Sequence, residues 1–423
     1  MRLTRRGQRA FTLVELLAAM TGGLIVTTAI VGVSKNATQA FYRESRVAAT
    51  EMSLRLSVER LRADLQRASY MSTGNILNDP KIPLNPIEPK VPGGSVPGIA
   101  NLQGIRFSLG GSSADVPLST TAANGFAPDS IDITGNMTGT EDYPVRVAND
   151  SGGPNCGGQV LYLQPESPAI WRARGGNADN ALLQGTLQQQ FQPVARREFL
   201  VRITDEEGRS QFAVGCGAGT AGYSNAEGPY VELALAGAIN LARYGLVAGR
   251  LSVNPVHSIR WSMRSTAVEY AALSDTSGIP KYDLVRQWVD ANLAVAGTPE
   301  IVGEYAVNVQ FGFSADTALY QAGAQAPAYV NYAFGAAASA DLARPVSTAV
   351  ASTLPQRIRS VRVRFSTRTE QPDATGDARM SGNNYTLRYC TKLAGCTSGL
   401  REWSSVRTLT TELLVPNQSG MFY

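Results

Sequence analysis

The stretch RRGQRAFTLVELLAAMTGGLIVTTAIVGV, residues 5–33, decides the fold of this chain. The basic residues at the N-terminus are Arg2, Arg5, Arg6 and Arg9. A long apolar run follows them; Glu15 lies inside it, and no further charge occurs from Leu16 to Val33. As a helix, residues 11–33 would be about 35 Å long, which is enough to span a bilayer. The arginines should hold the N-terminus in the cytoplasm and place the rest of the chain outside.

Three interpretations of this segment compete. A cleaved secretory signal peptide has an apolar core of only about 7–15 residues and ends at a small-residue site, whereas this run is longer. A plain membrane anchor accounts for the length but not for Glu15, because a carboxylate in lipid is unfavourable without a partner. The third interpretation rests on a resemblance to a known family.

Residues Ala10 to Leu16, AFTLVEL, resemble the type IV prepilin signal G-F-T-L-V-E of bacterial type IV pilins and type II secretion pseudopilins. The resemblance implies that prepilin peptidase cleaves between Ala10 and Phe11 and that Phe11 is then N-methylated. Ala10 stands where family members usually have glycine. Glu15 matches the acid that pairs with the N-terminal amine of a neighbouring subunit, and Thr12 adds a hydrogen bond.

An amphipathic helix is predicted to continue the apolar segment over residues 34–72. Its apolar stripe, spaced at four and three residues, consists of Leu54, Val58, Leu61, Leu65 and Ala68. Charges are assigned to the other faces: Arg55, Glu59, Arg60, Arg62, Asp64 and Arg67. This periodicity predicts that the stripe packs on the protein's own domain.

Two further regions complete the predicted organisation, after a leader at 1–10 and the two helical segments at 11–33 and 34–72. Residues 73–100 form a proline-rich connector, and residues 101–423 form a β-rich periplasmic or extracellular head with insertions, one of them an irregular segment or short helix at 318–352. Strands are predicted at 104–109, 130–134, 159–164, 198–204, 211–215, 230–236, 258–264, 304–313, 359–367, 385–390 and 404–415. The fold class is therefore α+β, with one long N-terminal helix packed on a large antiparallel domain, which is the plan of pilins.

Four cysteines lie in the part predicted to be outside, where an even number favours disulfides. Three pairings are possible, and we favour Cys156–Cys216 and Cys390–Cys396. The second pair encloses the short loop TKLAG, whereas the first closes a loop worth about 4 kcal/mol in the chain-entropy model. A zinc site is disfavoured, because neither pair has C-x-x-C spacing and the single histidine, His257, is remote in sequence.

The sequence offers little catalytic chemistry, so no enzyme activity, cofactor or metal is predicted. It lacks a phosphate loop, a G-x-S-x-G motif and an H-E-x-x-H motif. Asp316, Asp373 and Asp377 are interpreted as solvated loop acids, and Trp171 and Trp403 as core or sheet anchors. The net charge of +4 equals the four leader arginines, so a mature chain would be nearly neutral. This balance argues against a nucleic-acid surface.

Looser resemblances in the head point to PilW-type minor pilins. They lie, in order along the chain, at 129–133 followed by 156–158, and at 212–216, 307–313, 358–365 and 401–417. They imply a minor pilin that helps to initiate a type IV pilus in a tip or priming complex. The implied partners are prepilin peptidase, the inner membrane, other minor pilins and the major pilin through the N-terminal helix, and a tip adhesin.

The implied location is the bacterial inner membrane, with a cytoplasmic N-terminus and a periplasmic head, and after assembly the pilus, at its tip. The alternatives are a type II secretion pseudopilin, a tip adhesin or DNA-uptake subunit, and a membrane-anchored periplasmic enzyme.

Overall fold

The computed structural model of the chain describes residues 12–82, 96–108, 128–176, 179–239, 251–266, 281–316, 329–332, 334, 355–370, 388–390 and 403–418. The chain divides into two compact units, Met1–Met52 and Ser53–Tyr423. A long helix, α1 at Leu13–Leu65, begins in the first unit and ends in the second. The second unit is rich in antiparallel strands. The predicted α+β layout, with one N-terminal helix and a sheet-rich C-terminal domain, is therefore confirmed.

The apolar stripe near the end of α1 packs inside the second unit, as its spacing predicts. Its five residues, Leu54, Val58, Leu61, Leu65 and Ala68, are each no more than 5% exposed. Burial of each larger side chain in such a stripe contributes about 1.5–3 kcal/mol. Phe41 and Met52, which precede this region, are 68% and 64% exposed, so the buried stripe begins at Leu54.

The regular helix ends at Leu65, whereas the sequence predicts helix as far as residue 72. The backbone N–H of Ser69 donates to the carbonyl oxygen of Thr134 at 2.7 Å instead of continuing the helical ladder. Ser69 and Met71 both have positive φ, 61° and 49°. Gly135 lies against this turn, where a Cβ atom would overlap the Arg67 carbonyl oxygen. A tertiary hydrogen bond thus overrides the helix propensity of residues 66–72.

The strands and shorter helices of the second unit follow one another along the chain. The helices are α2 (Pro97–Ala100), α3 (Pro168–Ala173) and α4 (Asn180–Phe191). The first eight strands are β1 (Ile105–Ser108), β2 (Ser130–Gly135), β3 (Tyr143–Asn149), β4 (Val160–Leu163), β5 (Leu200–Asp205), β6 (Ser210–Val214), β7 (Ala221–Ser224) and β8 (Gly228–Glu232). The later strands are β9 (Leu251–Arg264), β10 (Asp283–Val289), β11 (Val295–Gly303), β12 (Ala306–Asp316), β13 (Tyr329–Tyr332), β14 (Ile358–Arg368), β15 (Arg388–Cys390) and β16 (Trp403–Leu414).

The described strands form two antiparallel sheets. The larger sheet has the order β1-β2-β9-β3-β4-β8-β7, with β5 and β10 also paired to β9, β6 paired to β5, and β11 paired to β10. The smaller sheet has the order β13-β12-β14-β16-β15. Strand β9 is the shared element of the larger sheet, because its first half pairs with β3 and β5 and its second half with β2 and β10.

Two hydrophobic cores use the two ends of β9. The first joins the α1 stripe to residues of both sheets, including Ile133 and Trp261 on one side and Phe311 and Val363 on the other. The second lies beneath α3 and α4, where Ile170, Leu183 and Leu187 pack on β3, β4, β5, β8 and the start of β9. Helix α1 therefore belongs to the first core, and the α3–α4 pair belongs to the second.

Each predicted strand overlaps an observed one, but sequence reasoning missed five strands and the α3–α4 pair. The missed strands are β3, β7, β10, β11 and β13. The prediction of an irregular or short helical segment at 318–352 is wrong at Tyr329–Tyr332, which pairs with β12 as an edge strand. Residues 83–95 of the proline-rich connector lie outside the described residues, and Pro97 opens α2 near the end of the connector.

A buried ion pair attaches the last turn of α1 to the larger sheet. Asp64 is 4% exposed, and its Oδ2 accepts hydrogen bonds from Arg286 Nε at 2.8 Å and from Trp261 Nε1 at 2.9 Å. Arg286 also pairs with Glu300 at 3.0 Å. The prediction that Asp64 lies on a solvent-facing side of the helix is wrong, because its partners on β9 and β10 satisfy the carboxylate inside the fold.

A second buried ion cluster lies across three neighbouring strands. Asp132 on β2 stands opposite Arg106 on β1 and Arg260 on β9, and both arginines bond its carboxylate. Burial raises the pKa of Asp132, but the hydrogen bonds and charges of Arg260 and Arg106 outweigh burial and leave the pKa below its ordinary value. The free energy that this group contributes is present above the ordinary carboxyl pKa and is lost as the pH falls through the lowered pKa of the folded state.

His257 lies in an aromatic environment near the middle of β9. It is 1% exposed, and its ring centroid is 5.5 Å from those of Phe199 and Trp288. Burial disfavours the charged imidazolium and lowers the pKa of His257 to about 3. The single histidine of the chain is thus part of the core.

Replacement of Asp64 by asparagine should destabilise the second unit by about 3 kcal/mol, because it leaves the Arg286 charge buried with one partner fewer. Urea unfolding of the detergent-solubilised full chain, followed by tryptophan fluorescence, measures the change. The matched control is Glu59→Gln, which removes an exposed pair with Arg62 and should change stability by less than about 1 kcal/mol. Equal, small losses for both variants would contradict the assigned role of Asp64.

Stability should fall as the pH drops from 7 to 5 through protonation of His257 in the unfolded chain. Its folded pKa lies below its unfolded value, so the unfolded state binds the extra proton in this window and stability rises with pH. The expected loss between pH 7 and pH 5 is about 2 kcal/mol. Asp132 does not contribute in this range, because its stabilisation is lost only at lower pH. His257→Phe should flatten the dependence, and an unchanged slope in that variant would refute the assignment.

Candidate functional site

Thr12 and Glu15 form a reciprocal hydrogen-bonded cap at the start of α1. The backbone N–H and the hydroxyl of Thr12 donate to Glu15 Oε2 at 3.0 and 3.1 Å, and the backbone N–H of Glu15 donates to Thr12 Oγ1 at 3.3 Å. This is a capping box, in which the N-cap hydroxyl and the carboxylate three residues later satisfy backbone donors that the helix leaves open. The two residues singled out in the sequence are therefore brought together, and they define the start of the helix.

Sequence reasoning missed this capping function, although its signature is visible. The spacing Thr-x-x-Glu immediately before an apolar run is the capping-box pattern. A cap of this kind stabilises a helix by about 0.5–2 kcal/mol. Glu15 is exposed, and within the described part of the chain its carboxylate accepts hydrogen bonds from Thr12. The carboxylate retains lone-pair sites for a further donor.

The apolar segment of α1 presents its side chains outward. Leu13, Met20, Leu24 and Ile30 are between 62% and 76% exposed. By length and composition, α1 can cross a membrane. In its length and its composition, the helix therefore agrees with the predicted membrane-spanning segment.

The threonines of this segment satisfy their hydroxyls within the helix. Thr21, Thr27 and Thr28 donate to carbonyl oxygens four residues earlier, at 3.0, 2.7 and 2.6 Å. Polar groups in lipid must find partners inside the protein, and these side chains do so without a neighbouring helix. Because these hydroxyls are bonded inside the helix, the three threonines do not require a polar partner outside it. Residues Ala10 and Phe11, the expected processing site, lie outside the described residues.

A disulfide joins Cys156 to Cys216, in agreement with the first pairing favoured from the sequence. Cys156 lies on an exposed loop between β3 and β4, and Cys216 is buried just after β6. The bond spans 60 positions in the sequence. The second predicted pair, Cys390–Cys396, falls outside the described residues because Cys396 does.

Glu232 at the end of β8 holds the same loop. Its buried carboxylate accepts hydrogen bonds from the Cys156 N–H at 2.6 Å and from the Asn155 N–H and Nδ2, both at 2.9 Å. Cys156, Cys216 and Glu232 are close enough to resemble a metal-ligand group. Both sulfur atoms form the disulfide, and the carboxylate accepts the hydrogen bonds described above. The three residues therefore have a structural role in holding the loop.

Two further predictions about individual side chains are wrong. Asp316 is not a solvated loop acid; it is 2% exposed at the end of β12, with Arg359 at 4.0 Å. Asp373 and Asp377 lie outside the described residues. Trp171 is not a core anchor, because 56% of it is exposed on α3, whereas Trp403 is half-buried at the start of β16.

Comparisons of the chain with protein-family models, curated proteins and solved structures found no match. The residues and their geometry therefore carry the functional argument.

Removal of the Cys156–Cys216 bond should lower the free energy of unfolding by about 4 kcal/mol, since it frees a loop of some sixty residues in the unfolded chain. The double variant Cys156→Ser, Cys216→Ser is compared with the wild type in urea, both without and with a reductant. The matched control is Cys390→Ser, Cys396→Ser, which keeps the first bond and should still lose stability on reduction. A Cys390/Cys396 variant that is insensitive to the reductant would contradict this prediction.

Proposed function

We propose that this protein is a minor pilin that takes part in initiating assembly of a type IV pilus, in a tip or priming complex with other minor pilins. The observation that carries the proposal is the arrangement at residues 10–15: Phe11-Thr12 and a carboxylate three residues after Thr12, at the start of an apolar helix without further charge up to Val33. This combination resembles the prepilin signal and differs from an ordinary anchor in its acid.

In this proposal, the carboxylate of Glu15 makes the contact between neighbouring subunits. A lone carboxylate is unfavourable in lipid, and pairing with a cation offsets much of that energy. The methylated N-terminal amine of a neighbouring Phe11 is such a cation. Because the capping hydrogen bonds from Thr12 leave acceptor sites on the carboxylate, Glu15 can hold its own helix and bind the neighbour's amine at once.

The second unit supports a position at the end of an assembly. It comprises residues 53–423, and its described part forms two sheets and includes the two cores that share β9. A head of this size would crowd a filament shaft in which helices pack closely, whereas the tip leaves it room. In this proposal the protein resides in the inner membrane with a periplasmic head before assembly, and its partners are prepilin peptidase, other minor pilins, the major pilin and a tip adhesin.

The decisive experiment separates the charge of Glu15 from its capping function. Glu15→Gln keeps a residue that can complete the capping box but removes the negative charge, whereas Thr12→Ala removes the cap and keeps the charge. Surface pili are counted by electron microscopy in cells that carry each variant. Glu15→Gln and Glu15→Ala should both reduce pilus number severely, and Thr12→Ala should retain most pili.

Intact-mass analysis of the mature protein is the control, since a methylated Phe11 start in every variant shows that processing is unaffected. Normal pili and normal recovery of the minor-pilin complex in Glu15→Gln would refute the assembly role. Loss of protein secretion with pili retained would assign the chain to a type II secretion system instead.

A further inference from the structure

A small polar cavity lies between α2 and the larger sheet. Its volume is about 10 Å³, which is close to that of one water-sized sphere. It is lined by α2 and the residues that follow it, by strands β1, β2 and β9, and by the turn between β10 and β11. The polar residues of its lining are Asn101, Gln103, Arg106, Asp132, Thr134 and Ser258. The cavity therefore admits one ligand of atomic size and offers it hydrogen bonds.

The register of the strands places four of these polar residues on one face of the sheet. Asp132 on β2 stands opposite Arg106 on β1. Two residues further along β2, Thr134 stands opposite Ser258 on β9. Ile133, which lies between Asp132 and Thr134, is buried in the first core. Because side chains alternate along a strand, the polar residues lie on the face that points away from that core.

Gln103 is the member of the lining whose side chain lacks a partner in the protein. It is 2% exposed, and within the described part of the chain neither its Oε1 nor its Nε2 makes a hydrogen bond. Both atoms are unpaired, so exchanging the oxygen and the nitrogen of the amide would leave the same need. Since a buried polar group without a partner is unfavourable, the unpaired amide beside a cavity indicates a ligand inside it.

The charges around the cavity favour a neutral ligand. Arg106 and Asp132 are the charged residues of the described lining, and Arg260 also donates to the Asp132 carboxylate. An anion would lie beside Asp132 and a cation beside Arg106, so repulsion between like charges disfavours both. The Gln103 amide presents donors and an acceptor, so it is satisfied by a ligand that accepts as well as donates. Water has the required size and does both.

We propose that this cavity binds one water molecule, which joins the segment after α2 to the larger sheet. The water bonds to the Gln103 amide on one side and to the hydroxyl pair of Thr134 and Ser258 on the other. These two hydroxyl oxygens are 2.7 Å apart, and either can be the donor. The pair can therefore offer the water an acceptor or a donor by rotating. Together with the amide it supplies the two to four partners that a buried water requires.

A crystal structure of the detergent-solubilised full chain at high resolution tests the proposal. One density peak should lie in the cavity, about 2.7–3.2 Å from the Gln103 amide and from the hydroxyl of Thr134 or Ser258. Crystals grown in bromide and in rubidium salts test the charged alternatives, because each of these ions gives an anomalous signal. Neither salt should give a signal at the peak.

Gln103→Leu should lose the peak, because leucine has a similar volume but cannot hydrogen-bond the water. Gln103→Met is the second variant if the first does not fold, and it should also lose the peak. The matched control is Gln192→Leu, which replaces a glutamine that is 5% exposed and whose Nε2 already donates to the carbonyl oxygens of Arg197 and Gly217 at 3.0 and 2.7 Å. This control should keep the water beside Gln103.

The inference is overturned if the cavity of the wild type contains no density, if bromide or rubidium gives an anomalous signal there, or if the peak persists when Gln103 is replaced. The measurements concern the second unit alone, so their outcome is independent of the assembly function.

Discussion

The ion pair between Asp64 and Arg286 is the constraint on which the arrangement of the second unit depends. It joins a residue of α1 to one of β10 that lies 222 positions later, and Trp261 on β9 completes it. A buried carboxylate is tolerated only where its partners are already in place. Asp64 therefore fixes both the rotation of α1 and the point on the sheet where the helix ends, while the apolar stripe beside it supplies most of the favourable burial.

The periodicity of the sequence predicts the buried apolar side chains of this contact, but it does not predict that Asp64 is buried with them. The spacing of Leu54, Val58, Leu61 and Leu65 identifies the face of α1 that is buried. The same reasoning assigns every charge to solvent, because it has no information on a partner that only the fold brings near. The sequence analysis therefore misses Asp64, because the role of its carboxylate depends on partners that are distant in sequence. The early end of α1 has a similar origin, since the carbonyl oxygen of Thr134 competes for the Ser69 N–H.

The strands show where alternation is informative. Strand β14 alternates Val361, Val363 and Phe365 with two arginines and is predicted nearly to its ends. Strand β10 is buried on both faces, so its sequence DLVRQWV lacks the alternation, and β11 is irregular, with register shifts against β10. At the N-terminus, a resemblance to a known family points to Thr12 and Glu15, whereas the capping geometry that joins them follows from their spacing alone.

Strand β9 contributes side chains to two separate cores of the second unit. Its second half contributes Ile259 and Trp261 to the core that receives α1, and its first half contributes Leu251 and Val253 to the core beneath α3 and α4. Helix α1 and the α3–α4 pair thus rest on separate sets of side chains. Energetic coupling between well-separated sites without shared partners is small. Substitutions on the outer face of α3 and α4 should therefore leave the way in which α1 is held unchanged.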